Sequence, residues 1–100
     1  MDNTKNNTRH WYALYTRPRF EKRIERVLKD LRLETFLPLR VETRKWSDRK
    51  KIVHEPLFPS YLFIYANGRE RHVAFQATGV VRFVSFNGEP AIIAEDQSRL

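Results

Sequence analysis

Apolar residues recur along this chain with different periods, and each period predicts a different kind of element. Trp11-Tyr12-Ala13-Leu14-Tyr15 is apolar on both parities, the pattern of a central strand covered on both faces. Thr16-Arg17-Pro18 then offers a capping residue and a proline suited to a first helical turn. From there Phe20, Ile24, Val27, Leu28 and Leu31 recur at helical spacing, which predicts an amphipathic helix over 18–33. Its polar side carries Glu25 and Lys29 in the favourable i to i+4 order.

The period then falls to two. Leu37, Leu39, Val41 and Thr43 share one parity and Arg40, Glu42 and Arg44 the other, so a half-exposed strand is predicted over 35–45. Pro38 makes it an edge strand or delays its start. Trp46-Ser47-Asp48-Arg49 reads as a hairpin tip, with 50–54 as the returning partner. Two prolines hold Glu55-Pro56-Leu57-Phe58-Pro59-Ser60 extended without regular pairing. Alternation in Tyr61-Leu62-Phe63-Ile64-Tyr65 places Tyr61, Phe63 and Tyr65 on one face of a strand and Leu62 and Ile64 on the other.

Asn67-Gly68 reads as a turn, 69–77 as a short helix burying Val73 together with Phe75 or Ala77, and Thr78-Gly79 as a chain reversal. A strand over 80–86 follows, then the hairpin signal Asn87-Gly88 and a return through Ala91-Ile92-Ile93. Residues 95–98 look like an acidic helix start and the chain ends almost at once, as expected of a fragment of a longer protein. The order predicts an α+β fold: a mostly antiparallel four-stranded sheet, with a short extra hairpin, flanked by helices and neighbouring the ferredoxin-like topologies.

Composition restricts the class further. One hundred residues suffice for one modest core. The first ten are too polar to bury surface and are expected to form a disordered tail, leaving 11–100 as the domain. The longest apolar stretch, Leu57 to Ala66, is interrupted by Pro59 and Ser60 and falls short of the roughly 20 residues of a membrane helix. With no cysteine, disulfide scaffolds, thiolate metal sites and thiol nucleophiles are excluded, and a reducing cytoplasmic location is expected.

The net charge of +7 is unevenly placed. Residues 1–54 hold 15 of the 19 basic residues and 7 of the 12 acidic ones. Arg40 to His54 alone holds six basic residues against Glu42 and Asp48, and such a patch suits either a polyanion or open solvent. Catalysis finds no support. His10, His54 and His72 fall in separate elements, and Gly68, Gly79 and Gly88 all punctuate turns, so no metal cluster, cofactor site or phosphate-cradling loop is expected.

The remaining constellation is aromatic: Trp11, Tyr12, Tyr15, Phe58, Tyr61, Phe63, Tyr65, Phe83 and Phe86 all come from strands or their approaches. Leu14, Leu62, Ile64 and the helix stripe can fill a layer between sheet and helices, which accounts for some of these rings as core. Tyr61, Phe63 and Tyr65 beside Ala13 and Tyr15 would then form an apolar patch with polar tips on the opposite face, suited to protein docking. A stand-alone module that stacks single-stranded RNA on sheet aromatics is the alternative. The Lys/Arg-Gly-aromatic signature of that module is missing here.

Trp11-Tyr12-Ala13-Leu14-Tyr15-Thr16 leading into Phe20-Glu21, Glu55-Pro56-Leu57-Phe58-Pro59-Ser60-Tyr61-Leu62-Phe63, and Thr78-Gly79-Val80-Val81-Arg82-Phe83-Val84 together resemble the N-terminal (NGN) domain of the NusG transcription-elongation family, over Trp11 to Leu100. The proline-bracketed Leu57-Phe58-Pro59 is similar to specialised paralogues such as RfaH. Trp46-Ser47-Asp48-Arg49-Lys50-Lys51 is similar to the UpxY branch, which promotes transcription of long surface-polysaccharide operons. The resemblance implies a monomeric, non-catalytic domain that rests on the clamp helices of bacterial RNA polymerase and suppresses pausing. It implies polymerase contacts by Tyr15, Phe58, Pro59, Tyr61, Phe63 and Phe86.

Specialised members also read non-template DNA through the first helix and the loop near Thr78, for which Arg19, Lys22, Arg23 and Arg26 are the helix candidates here. Arg44, Lys45, Arg49, Lys50 and Lys51 of the basic hairpin are expected near upstream or non-template DNA. The family's second domain, a small KOW barrel, would follow these residues and is absent from them.

Overall fold

The computed structural model describes residues 8–94. The first strand, β1 (His10–Thr16), lies inside a four-stranded antiparallel sheet, between β5 (Tyr61–Ala66) and β6 (Val80–Phe83). β2 (Glu34–Phe36) pairs with the far side of β5, so the sheet order is β2-β5-β1-β6. This is the expected α+β architecture. Trp11, Tyr12, Ala13 and Leu14 are all buried, as apolarity on both parities requires of a central strand.

One sheet face carries the core. Tyr12, Leu14, Leu62, Ile64, Ala66 and Phe83 meet Ile24 and Leu28 of α1 (Glu21–Asp30) and Ala74 of α2 (Gly68–Phe75), with Leu33 and Leu37 closing one end. Arg71 of α2 lies 4.6 Å over the Tyr12 ring and donates to its hydroxyl at 2.9 Å.

α1 is shorter than the 18–33 predicted. Thr16 remains in β1, and Pro18 and Arg19 form a turn in which Arg19 takes φ 69; a left-handed residue cannot continue a right-handed helix. The far end closes in a Schellman arrangement on Arg32 at φ 65, with Leu33 N–H donating to the Leu28 carbonyl and Arg32 N–H to that of Lys29, each at 2.9 Å. Asn67-Gly68 is no free turn. Asn67 caps α2, its side chain accepting from Glu70 N–H at 2.8 Å while the Glu70 carboxylate accepts from Asn67 N–H at 2.9 Å. Val73 and Ala77 pack against the core as expected, while Phe75 stays exposed.

The strand predicted over 35–45 is two strands. Pro38 has no N–H to continue the ladder, so β2 stops at Phe36 and the chain leaves the sheet to form β3 (Leu39–Trp46). β3 pairs only with β4 (Arg49–Pro56), making a two-stranded arm about 26 Å long at the usual strand rise. The reversal over 80–93 also differs in detail. β7 (Ser85–Phe86) pairs with β8 (Glu89–Pro90) around Asn87 and Gly88, both at positive φ, and Ile93 rather than a full return strand bridges to Trp11. Of the segment expected as a tail, residues 1–7 lie outside the described residues, Arg9 is tied to Glu70, and His10 opens β1. The acidic stretch 95–98 also lies outside them.

Candidate docking face and cationic arm

With both helices on one side, the other sheet face has no layer covering it among the described elements. The antiparallel register sets Trp11 opposite Tyr65, Ala13 opposite Phe63, and Tyr15 opposite Tyr61. Across the next pair Phe36 stands opposite Phe63. The rings meet accordingly: Trp11 and Tyr65 at 5.3 Å between centroids, Tyr15 and Tyr61 at 5.5 Å, Phe36 and Phe63 at 6.3 Å, Phe58 and Phe63 at 6.0 Å. Three of these pairs are tilted and that of Phe58 with Phe63 is edge-on, a geometry that stabilises beyond the area it buries. Arg82 places its guanidinium 5.6 Å over Tyr15.

Trp11 is closed over, but the other rings are packed sideways and remain at least partly open above. Phe58 is 48% exposed and Tyr61 36%, while Tyr15 and Phe63 are half-buried. Tyr15, Phe58, Pro59, Tyr61 and Phe63, expected from sequence, are thus brought to one place. No ring contact joins Phe86 to them; it sits on β7, 72% exposed. Phe36 was missing from the sequence reading. Its parity, opposite that of buried Leu37, is the available signal, hidden inside a stretch over 35–45 that alternates like a single strand.

The Phe58–Tyr61 segment is a tight turn, closed by Tyr61 N–H donating to the Phe58 carbonyl at 3.1 Å. Pro59 occupies its second position and Ser60 its third at φ 71, the pattern of a type II turn. Two elements hold it. Thr16 N–H of β1 donates to the Ser60 carbonyl at 2.8 Å, and the buried Glu21 carboxylate of α1 accepts the Ser60 N–H at 2.6 Å. The exposed Phe58 and Pro59 are therefore held rigidly relative to the sheet.

The candidate nucleic-acid residues fall into separate groups. Arg19, Lys22 and Arg44, with Arg40, Glu21, Glu55 and Pro59, line a groove of about 440 Å³ where α1 meets the arm's base. There Lys22 Nζ donates to the His54 carbonyl at 2.5 Å. Arg23 and Thr78 line a second groove, floored by Val27, Leu31, Val73 and Ala77 between the helices, and Arg26 is exposed on α1. Lys45, Arg49, Lys50 and Lys51 project from the outer half of the arm.

Acids answer the arm's cations only near its base. Arg40 pairs with Glu42 at 2.9 Å, and Arg44 reaches Glu42 at 3.3 Å and Glu55 at 3.7 Å. Farther out, Lys45 stands opposite Lys50, and Lys51 lies across the ladder from the acid-paired Arg44. Like charges directly across a ladder are destabilising, so this end of the ribbon carries an electrostatic cost that a polyanion would relieve.

Among the described residues no cluster of three or more His, Asp or Glu could hold a metal ion, and no helix is long and apolar enough to cross a membrane. A model of the family described as transcription termination factor NusG matches residues 9–99. This chain belongs to the NusG family. Its fold is similar to that of NusG from Thermotoga maritima, in a structure concerned with domain interaction in that protein, with a TM-score of 0.65 and 23% sequence identity. The match covers 92% of this chain and 54% of that one, so the chain spans about half the length of the NusG it matches. In NusG terms these residues are the N-terminal domain of a transcription factor.

Proposed function

We propose that this domain docks through its open aromatic face on the clamp helices of bacterial RNA polymerase, and that the cationic arm lies beside upstream or non-template DNA. The observation that carries this reading is the row of rings on β1, β2 and β5, with Tyr61 and Phe58 open to solvent on a turn anchored at Ser60 by both β1 and α1. A rigid, ring-lined surface with polar tips fits an amphipathic helical partner. Docking across a cleft would favour the polymerase's closed form and suppress pausing, provided affinity for that form is the higher.

Proline-bracketed Phe58 and the basic tip favour a specialised factor of the RfaH or UpxY type, acting as a cytoplasmic monomer in antitermination on surface-polysaccharide operons. A KOW domain would follow in the intact protein, and Phe86 and Thr78 would lie toward polymerase and DNA respectively.

The test is binding of the purified domain to core polymerase. Phe63→Ala and Phe36→Ala point away from the core, so both variants should keep the wild-type circular dichroism. Each should lose about 2 kcal/mol of affinity or more, roughly thirtyfold. Undiminished binding by both variants would refute the docking face. A second reading has one observation in its favour: Trp11, Tyr15, Tyr61, Phe63 and Tyr65 sit on the two central strands of a four-stranded sheet, where RNA bases can stack. Single-stranded RNA competing with polymerase for the same face, and losing to Phe63→Ala, would favour it instead.

A further inference from the structure

The arm has two unlike faces. Cross-strand register places Leu39 with Pro56, Val41 with His54, Thr43 with Ile52 and Lys45 with Lys50 on one side. The other side pairs Arg40 with Glu55, Glu42 with Val53, Arg44 with Lys51, and Trp46 with Arg49. This second side continues into the groove at the arm's base, since Arg40 and Arg44 line it together with Lys22.

At its outer end stands Trp46, 62% exposed. No ring or cation covers it among the described residues. An indole left in water at the end of a ribbon contributes nothing to the core, and the side chains nearest on its face, Arg49, Arg44 and Lys51, are all cationic. The outer half of this face carries Arg44, Arg49 and Lys51, while Glu42 and Glu55 on the same face pair with Arg40 and Arg44 nearer the base. A free π-face set among phosphate-binding charges is what a single nucleic-acid strand requires, because bases stack on the ring while cations follow the backbone.

We infer that the charged face of the arm is a track for single-stranded nucleic acid, running from Lys22 and Arg40 outward, and that Trp46 stacks an unpaired base at its far end. This rests on the nucleic-acid half of the proposed function but not on polymerase docking, and its test contains no polymerase. DNA and RNA strands offer the same phosphates and ring faces, so both serve as probes.

The chain supplies its own reporter. It has two tryptophans, and Trp11 is buried at 8% exposure, so a Trp11→Phe variant isolates the Trp46 emission. If that variant does not fold, the difference between wild type and Trp46→Phe gives the same signal. Titration with short oligothymidine or oligouridine should quench Trp46 emission, whereas an abasic strand of equal length should bind without quenching. Trp46→Ala should lower affinity for the base-bearing strand about tenfold, the order expected for one stacked base, leave abasic binding unchanged, and be rescued in part by Trp46→Phe. Absence of quenching by both strands, equal quenching by the abasic strand, or unaltered affinity in Trp46→Ala would each overturn the inference. So would tighter binding of duplex with no change in emission, which would assign the arm to backbone contacts alone.

Discussion

Glu21 and Ser60 are 39 positions apart in sequence, yet the Glu21 carboxylate accepts the Ser60 N–H at 2.6 Å. The carboxylate is buried and sits in the first turn of α1, where a negative charge is favoured. It ties the start of the helix to the turn that presents Phe58 and Pro59.

Removing that acceptor should weaken both stability and docking. Glu21→Ala leaves a partly buried N–H without its acceptor, at a cost of about 1.5–3 kcal/mol for a bond to a charged group. Glu21→Gln keeps an acceptor oxygen and should lose less. Chemical denaturation of the two variants orders the effects, and equal stability of Glu21→Ala and wild type would refute the assignment.

Gly79 is fixed by two independent constraints. Its φ of +98 disfavours any side chain, and an added Cβ would fall 2.3 Å from Phe20 Cδ2. Gly79→Ala should therefore lose about 1–3 kcal/mol, lowering Tm by roughly 4–8 °C per kcal/mol in a domain of this size. A Tm within a degree or two of wild type would show that Phe20 moves aside freely.

The Arg9–Glu70 pair gives a pH dependence of definite sign. The hydrogen bond from Arg9, at 2.8 Å, chiefly holds the Glu70 carboxyl below its ordinary range, with the Asn67 N–H adding to it and partial burial opposing. A depressed carboxyl stabilises the fold above its unfolded pKa, and that contribution is lost as pH falls through the lowered native value. Stability of wild type relative to Glu70→Gln should thus be constant near neutrality and shrink only in acid, below about pH 4.5. In Arg9→Ala the Glu70 carboxyl, followed by NMR, should titrate higher.

Lys50→Glu should act with opposite signs in two assays. Facing Lys45, it exchanges a like-charge pair for an opposite one and should stabilise the arm by about 0.2–1 kcal/mol. The same change should weaken nucleic-acid binding and lower the salt slope by less than Lys51→Glu does, because Lys50 lies on the face opposite Trp46. Loss of both properties together would point to a misfolded arm.

How much was legible beforehand depended on whether the signal was local. Alternation in Tyr61 to Tyr65 and the both-parity pattern of Trp11 to Tyr15 placed two central strands and most of the ring face, because a strand's period fixes which face each side chain takes. Phe36 was lost because one proline split a continuous alternating run into strands of different sheets, a decision made by pairing with Ile64 and Phe63 rather than by pattern. The premature start assigned to α1 has a similar origin. Pro18 signals a helix in general, but here Arg19 at positive φ spends those residues on a turn. The Glu21–Ser60 and Arg9–Glu70 contacts join residues with no periodic relation, and no reading of spacing could have found them.

The arm's geometry also makes its reach discontinuous. Because successive side chains on each strand alternate sides, deleting one residue from both β3 and β4 would turn the tip indole away from the groove at the base. Removing two from each would restore its facing and shorten the span by about 7 Å. Length variants of this ribbon should therefore regain the outer contact only in even steps, like the teeth of a ratchet.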